Sequence, residues 1–250
     1  MSEAPTSSHS AGPADQRPLL VRELGRLDYA PVYAAMRRLT DRRQPGAMDE
    51  IWLLEHPPVY TLGMNGKPEH VLNAGAIPVL RVDRGGQVTY HGPGQLVVYL
   101  LLELRRSGLG VRSLVTLMEQ SLIELVGGWG VSSHARPEAP GVYVGERKIA
   151  SLGLRIRRGY SYHGLALNVD MDLEPFRRIN PCGYPGLVLT QLHELAPAAS
   201  VGECSRRLLE ILRRRLGYTV ALWQQGLPAA DSEPAASASE PTSQGEQQHA

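Results

Sequence analysis

The chain has 250 residues, 42% hydrophobic and 20% charged, with a formal net charge of +1. That is length enough for one substantial core and the composition of a soluble globular protein. No apolar run reaches the ~18 residues of a membrane span, the N-terminus has neither the basic start nor the apolar stretch of a secretory signal, and two cysteines exclude a disulfide framework or a cysteine-based zinc site.

These features predict a cytoplasmic protein with no metal and no cofactor. All but one of the 26 bases lie between residues 19 and 227, against only 19 of the 25 acids, so the centre is about +6. A modestly basic centre suits an acidic protein partner. It is too weak for nucleic acid, and no basic stripe with interleaved aromatics is present. Only two of the 26 bases are lysines, Lys67 and Lys148. Codon bias explains that imbalance, but lysine can shed a proton in a protein and arginine cannot.

Residues 1–18 and 226–250 read as disordered tails, because Ala, Ser, Pro, Glu and Gln cannot bury enough apolar surface to offset ordering entropy. Residues 19–225 read as one domain. Leu19–Leu24 predicts a strand. Asp28 is placed to cap a helix reaching about Arg43, with Val32, Met36 and Leu39 at helical spacing. Ile51–Leu54 predicts a strand that His56-Pro57-Pro58 turns into a loop. Further strands are expected at Ile77–Val82, Val88–Tyr90 and Gln95–Leu102. A helix is expected over Ser113–Val126 and a short strand over Gly141–Val144. Ile149–Ile156 and Tyr160–Val169 form a hairpin about Arg158-Gly159. Ser200 and Glu203 make a capping box that opens a helix through Leu216, which Gly217 ends. Tyr218–Trp223 is a last strand. Mixed elements with a hairpin and no regular βαβ alternation predict an α+β fold.

The two cysteines differ. Cys204 shares the apolar stripe of the last helix with Leu208, Ile211 and Leu212, as a buried small hydrophobe does. Cys182 lies in Asn180-Pro181-Cys182-Gly183-Tyr184-Pro185-Gly186, where no periodicity buries it. A nucleophile and an incidental loop thiol both fit that turn. A nucleophilic thiol needs a neighbouring cation, because a free cysteine at pKa ~8.5 is mostly protonated at neutral pH. Lys148, His91 and His163 are the candidates. Lys148 stands where a turn enters a strand, though a solvated surface lysine and a core-edge histidine are the commoner fates of such residues. The Arg84-to-Gln95 segment has a glycine pair that lets backbone approach a ligand, then Gly92-Pro93-Gly94 beside His91. It is neither a Walker loop nor GxGxxG. Ser151-Leu152-Gly153 adds a third patch of small residues.

Four segments in this order, RGGQVTYHGPGQL (84–96), GERKIASLGLR (145–155), HGLALNVD (163–170) and NPCGYPGL (180–187), resemble the bacterial octanoyltransferases of lipoate biosynthesis. The resemblance covers about residues 19–223. It implies a fold similar to the catalytic domain of biotin and lipoate protein ligases, an α/β sandwich with mixed sheets. It implies transfer of an octanoyl group from octanoyl-acyl carrier protein to a lysine of lipoyl domains, in 2-oxoacid dehydrogenase E2 subunits and the glycine cleavage H protein. Cys182 would carry the acyl group as a thioester, with Lys148 as the cation that favours its thiolate. The acyl-binding positions implied are Arg84, Gly85, Gly86, Gln87, Val88, Thr89, Tyr90 and His91, then Ser151, Leu152 and Gly153, then Gly164, Leu165 and Ala166.

The chemistry of these residue types suits that reaction. Thiol-for-thiol exchange on a thioester costs little, and once Cys182 is acylated a neutral Lys148 is free to take a proton from the incoming lysine. At ~0.8 kcal/mol per buried CH₂, an eight-carbon chain contributes about 5 kcal/mol. Three other readings compete. An ATP-dependent lipoate ligase on the same fold would leave Cys182 without a task. A cysteine hydrolase would pair Cys182 with His91 or His163. A non-catalytic lipoyl-domain or acyl-carrier binding protein would tolerate loss of the thiol. Nothing in the sequence demands more than a monomer.

Overall fold

The computed structural model describes residues 18–44 and 46–229. The tail expectations for residues 1–17 and 230–250 lie outside it. Strand β1 (Pro18–Arg26) leads through helix α1 (Tyr29–Arg42) to β2 (Asp49–Glu55), which lies parallel to β1. Then come β3 (Val59–Leu62), β4 (Val79–Arg81), β5 (Val88–His91) and β6 (Gln95–Leu101). A one-turn helix α2 (Leu104–Ser107) precedes α3 (Val111–Gly127). Strands β7 (His134–Ala135), β8 (Gly141–Val144), β9 (Arg147–Arg157) and β10 (Tyr160–Asn168) follow. Two short 3₁₀ turns, at Glu174–Arg178 and Pro181–Gly183, lead to α4 (Val201–Leu216) and β11 (Val220–Gln225).

The strands form an eight-stranded sheet, ordered β11-β1-β2-β6-β10-β9-β8-β7, and a three-stranded sheet, β4-β3-β5. The large sheet is mixed: β1 runs parallel to β2 and β11, and the remaining pairs are antiparallel. Its central strands bury both faces, as their alternation shows. Ile51, Leu53, Leu96, Val98 and Leu100 pack towards α3 and α4. Trp52, Leu54, Val97, Tyr99 and Leu101 pack towards α1. This is the α+β architecture expected.

Several local expectations hold for physical reasons. Arg158 and Gly159 both have positive φ, 53° and 86°, as the two central residues of a type I′ hairpin turn require. Ser200 accepts the Glu203 N–H, and Gly217 ends α4 at φ 75°. Others are corrected. Asp28 stands at the N-terminus of α1, but its side chain caps nothing. The helix ends at Arg42, where it was expected to, and Arg43 turns inward and donates to the Leu101 carbonyl at 2.7 Å and to Asp49. Val59–Leu62, expected as loop, is the central strand of the small sheet. Ile77–Val82 contributes only the three residues of β4. Helix α2 and strand β7 were not expected. Past the expected boundary at 225, the Gly226 carbonyl accepts from Arg22 and Leu227 packs on the α1 side of the sheet. No helix among the described residues is long and apolar enough to cross a membrane.

Candidate active site

The two sheets enclose a cavity of about 370 Å³. Register explains its floor. Ala166 of β10 lies between Ser151 of β9 and Val97 of β6, and Gly164 lies between Gly153 and Tyr99. These two rows share one face of the sheet, and four of their six residues are small. Leu152 and Leu165 alternate to the opposite face, where they join the α3/α4 core, so they reach the cavity through backbone. Arg84, Gly85, Gly86, Gln87, Val88, Thr89 and His91 line the other side.

Tyr90 does not. It points away from the cavity and packs edge-on against Phe176 and beside Tyr60. Tyr29 of α1 and Tyr99 of β6 line the cavity, as do His163 and Pro140, and none of these four was an expected binding position. For Tyr99 the signal was available: it follows Val97 at the strand period of two. Nothing local marks Tyr29, which arrives on a helix from elsewhere in the chain.

At one end of the cavity stand Lys148 and Cys182. Lys148 is 1% exposed, near the start of β9. Its Nζ donates to Cys182 Sγ at 3.1 Å and to the Pro140 carbonyl at 2.9 Å, and lies 5.4 Å from the Tyr143 ring centre. No carboxylate among the described residues lies within ion-pair distance of it. Gly141 makes room for the side chain: a Cβ there would stand 2.4 Å from Lys148 Cε. Backbone pairing fixes the strand around it, with Lys148 N–H bonded to the Val188 carbonyl and the Thr190 N–H to the Lys148 carbonyl.

Cys182 sits in the 3₁₀ turn at φ 57°, ψ 14°, a left-handed conformation that costs a non-glycine residue on the order of 1 kcal/mol. Gly183 N–H to the Asn180 carbonyl (2.9 Å) and Tyr184 N–H to the Pro181 carbonyl (3.0 Å) hold the turn. Gly183 lets the turn settle on Gln87, whose Cγ would be 3.1 Å from a Cβ at that position. Cys204 is buried in α4 as expected, and burial pushes its thiol up to about 11.

The histidines are engaged elsewhere. His91 Nδ1 faces Gln95 Oε1 at 2.7 Å and its Nε2 faces Thr61 Oγ1 at 3.4 Å. His163 Nε2 donates to Asp83 at 3.1 Å, and its Nδ1 faces the Tyr29 hydroxyl at 3.5 Å. His56 bridges the Leu27 carbonyl and the Tyr99 hydroxyl. Burial pushes His91 down to about 3 and His56 to about 4, and it lowers His163 as well. Unfolded, each takes a proton near pH 6.5, so the unfolded chain binds more protons below that pH and stability is lost as pH falls. His56 and His91 should each cost about 1.4 kcal/mol between pH 7.5 and 5.5. Urea unfolding at the two pH values checks this, and equal stabilities would exclude buried neutral histidines.

Comparison with known proteins fits this architecture. The family described as the lipoyl protein ligase A/B catalytic domain matches residues 28–213. A lipoate protein ligase of Thermoplasma acidophilum has the same fold, with a TM-score of 0.65 at 16% identity over 84% of this chain and 86% of that one. An octanoyltransferase of Azotobacter vinelandii is 64% identical over 202 residues, 80% of this chain and 93% of the relative. One of Shewanella sp. (strain MR-7) is 57% identical over 212 residues, 85% and 98% respectively. The chain therefore belongs to the lipoyl protein ligase A/B catalytic-domain family and, within it, to the octanoyltransferases. Its activity is acyl transfer, the movement of an octanoyl group in lipoate biosynthesis.

Proposed function

We propose that the octanoyl group passes from octanoyl-acyl carrier protein to a lysine of a lipoyl domain through a thioester on Cys182. The observation that carries this is the 3.1 Å contact between Lys148 Nζ and Cys182 Sγ at the end of the apolar cavity. The Lys148 ammonium holds the thiolate. The thiolate attacks the thioester carbonyl, the new S–C bond forms as the carrier's C–S bond breaks, and the carrier leaves as thiolate; with the Cys182 anion gone, Lys148 releases its proton to solvent, from which the carrier thiolate takes one up. The acceptor amine then attacks, Cys182 leaves as thiolate, and Lys148 takes the amine's proton. The chain lies on the floor of Ser151, Gly153, Gly164 and Ala166, with Arg84 to Thr89 and His91 opposite. The lipoyl domains of E2 subunits and the H protein are the acceptors, and a basic centre suits acidic carriers. The catalytic unit runs from Pro18 to Leu227, working as a monomer in the cytoplasm. Neither histidine bonds the sulfur, which disfavours the hydrolase reading.

Intact mass after incubation with octanoyl-acyl carrier protein, without ATP or acceptor, tests the reading. It should show one added octanoyl group that hydroxylamine removes. Turnover that appears only with ATP and free octanoate would replace the transferase with a ligase.

The seat of Lys148 is equally testable. Gly141→Ala puts a methyl against Lys148 Cε at a backbone φ of 147°. It should cost about 1–3 kcal/mol of stability and on the order of 10²-fold in transfer, because the amine is displaced from the sulfur. Thermal melting and turnover measure both, and an unaffected variant would mean the lysine is not seated there.

A further inference from the structure

We propose that Glu119 of α3 is a positioning residue for Lys148, acting through the peptide that joins Pro140 to Gly141. The proposal rests on the reading of Lys148 and Cys182 as the reacting pair.

Lys148 Nζ has two acceptors, and only one of them is the sulfur. The other is the Pro140 carbonyl, at 2.9 Å. That carbonyl and the Gly141 N–H are the two ends of one planar unit. The peptide is trans, so its two ends point in opposite directions and fixing one fixes the other. The Gly141 N–H donates to Glu119 Oε1 at 3.0 Å. An unbroken line of contacts therefore runs from the Glu119 side chain, through one peptide, to Lys148 Nζ and on to Cys182 Sγ at 3.1 Å.

The local backbone does not set the orientation of that peptide. Gly141 stands at φ 147°, and a glycine turns about this bond with little steric restraint. The plane is held by what its two ends touch. Gly141 is buried, so an N–H turned away from Glu119 has no water to receive it. A carboxylate is a stronger acceptor than a neutral oxygen. By drawing on the N–H it also makes the carbonyl at the far end a better acceptor for Lys148. Glu119 has no other use in the fold that its contacts reveal. It is half-buried beside Met118, and the bond to Gly141 is its one hydrogen bond among the described residues. Glu124, further along the same helix, differs: it pairs with Arg214 and Arg215 of α4.

The chain's two lysines allow a direct test. With lysine as the only isotope-labelled residue, NMR reads two Nζ resonances, one from exposed Lys67 and one from buried Lys148. Glu119→Ala should shift the Lys148 resonance and lower kcat about tenfold, because the amine is less well aimed. KM for octanoyl-acyl carrier protein should not change, since no contact with the carrier or the chain is lost. Glu119→Gln, whose amide oxygen still accepts the Gly141 N–H, should restore the resonance and bring kcat within about threefold of wild type. Glu124→Ala is the control. It loosens α3 from α4, so its melting temperature should fall while resonance and kcat stay put. A merely structural Glu119 would behave in the same way, and a Glu119→Ala variant with the wild-type resonance and kcat overturns the proposal. So does a Glu119→Gln variant as impaired as Glu119→Ala. If Glu119→Ala does not fold, Glu119→Asp decides it, because that side chain keeps its charge but falls one methylene short of Gly141. A shifted resonance with reduced kcat supports the proposal, and wild-type values remove it. Wild-type protein incubated with octanoyl-acyl carrier protein separates the proposal from the reading beneath it. No adduct, with a Lys148 resonance that responds to Glu119, defeats the thioester reading alone. An adduct, with a resonance that ignores Glu119, defeats the Glu119 proposal alone.

Discussion

Cys182→Ser should form no acyl-enzyme and lose octanoyl transfer by on the order of 10³-fold or more, while folding as the wild type does. The fold is safe because the turn is held by backbone bonds at Asn180–Gly183 and Pro181–Tyr184, none of which uses the sulfur. Serine meets the same left-handed φ of 57° with a side chain of nearly the same shape. The chemistry is not safe. On the proposed reading the Lys148 amine, 3.1 Å from the sulfur, favours an anion there, and a hydroxyl does not ionise near neutral pH even beside one ammonium. Its exchange with a thioester also needs a base at the first step, where Lys148 is already protonated. Thermal melting beside a gel-shift assay of lipoyl-domain octanoylation measures both halves of this expectation. Full transfer by the serine variant would mean that the acyl group never rests on residue 182, and direct attack by the acceptor on the carrier thioester would take its place.

Residues legible in the sequence were those whose signal is local. The Arg158-Gly159 turn, the Ser200–Glu203 cap and the Pro- and Gly-rich turn around Cys182 each depend on a few adjacent side chains, and each is where it was expected. Strand β3 was hidden because it is four residues long, follows two prolines and pairs with β4 and β5 across intervening loops. Tyr90 was placed at the site because it lies within a motif read as a continuous lining. The period of two in Val88-Thr89-Tyr90-His91 turns it to the other face. Tyr29 needed the crossing of α1 over the sheet, which no local pattern encodes. The glycines were read as openings for a ligand, and Gly153 and Gly164, with Ser151 and Ala166, line the cavity. Gly141, however, clears space for the charged side chain of Lys148, and Gly63 for the Gly86 carbonyl. Both uses need a missing Cβ, so sequence alone does not separate them.

Lys148→Arg should divide the reaction in two. Acylation of the variant by octanoyl-acyl carrier protein should proceed within about tenfold of wild type, because the guanidinium still presents a cation to the sulfur. Transfer to the acceptor should fall by about 10²–10⁴-fold, the usual contribution of a positioned base. The reason lies in what surrounds Nζ. Its acceptors are Cys182 Sγ and the Pro140 carbonyl, with the Tyr143 ring beside it and no carboxylate among the described residues within ion-pair distance. When Cys182 becomes a thioester, the anion that favours the ammonium is gone, and a neutral carbonyl and a ring are left. The amine form then becomes accessible at the moment the acceptor lysine, with a reference pKa of ~10.4, must lose a proton to attack. Arginine retains its proton and so leaves the acyl-enzyme stranded. Single-turnover rates for the two half-reactions, each followed by intact mass, measure the split. Normal transfer by the arginine variant would remove the base assignment, and equal loss in both steps would confine Lys148 to holding the thiolate. The accumulation of a hydroxylamine-sensitive acyl-enzyme is the outcome that only a two-role lysine produces.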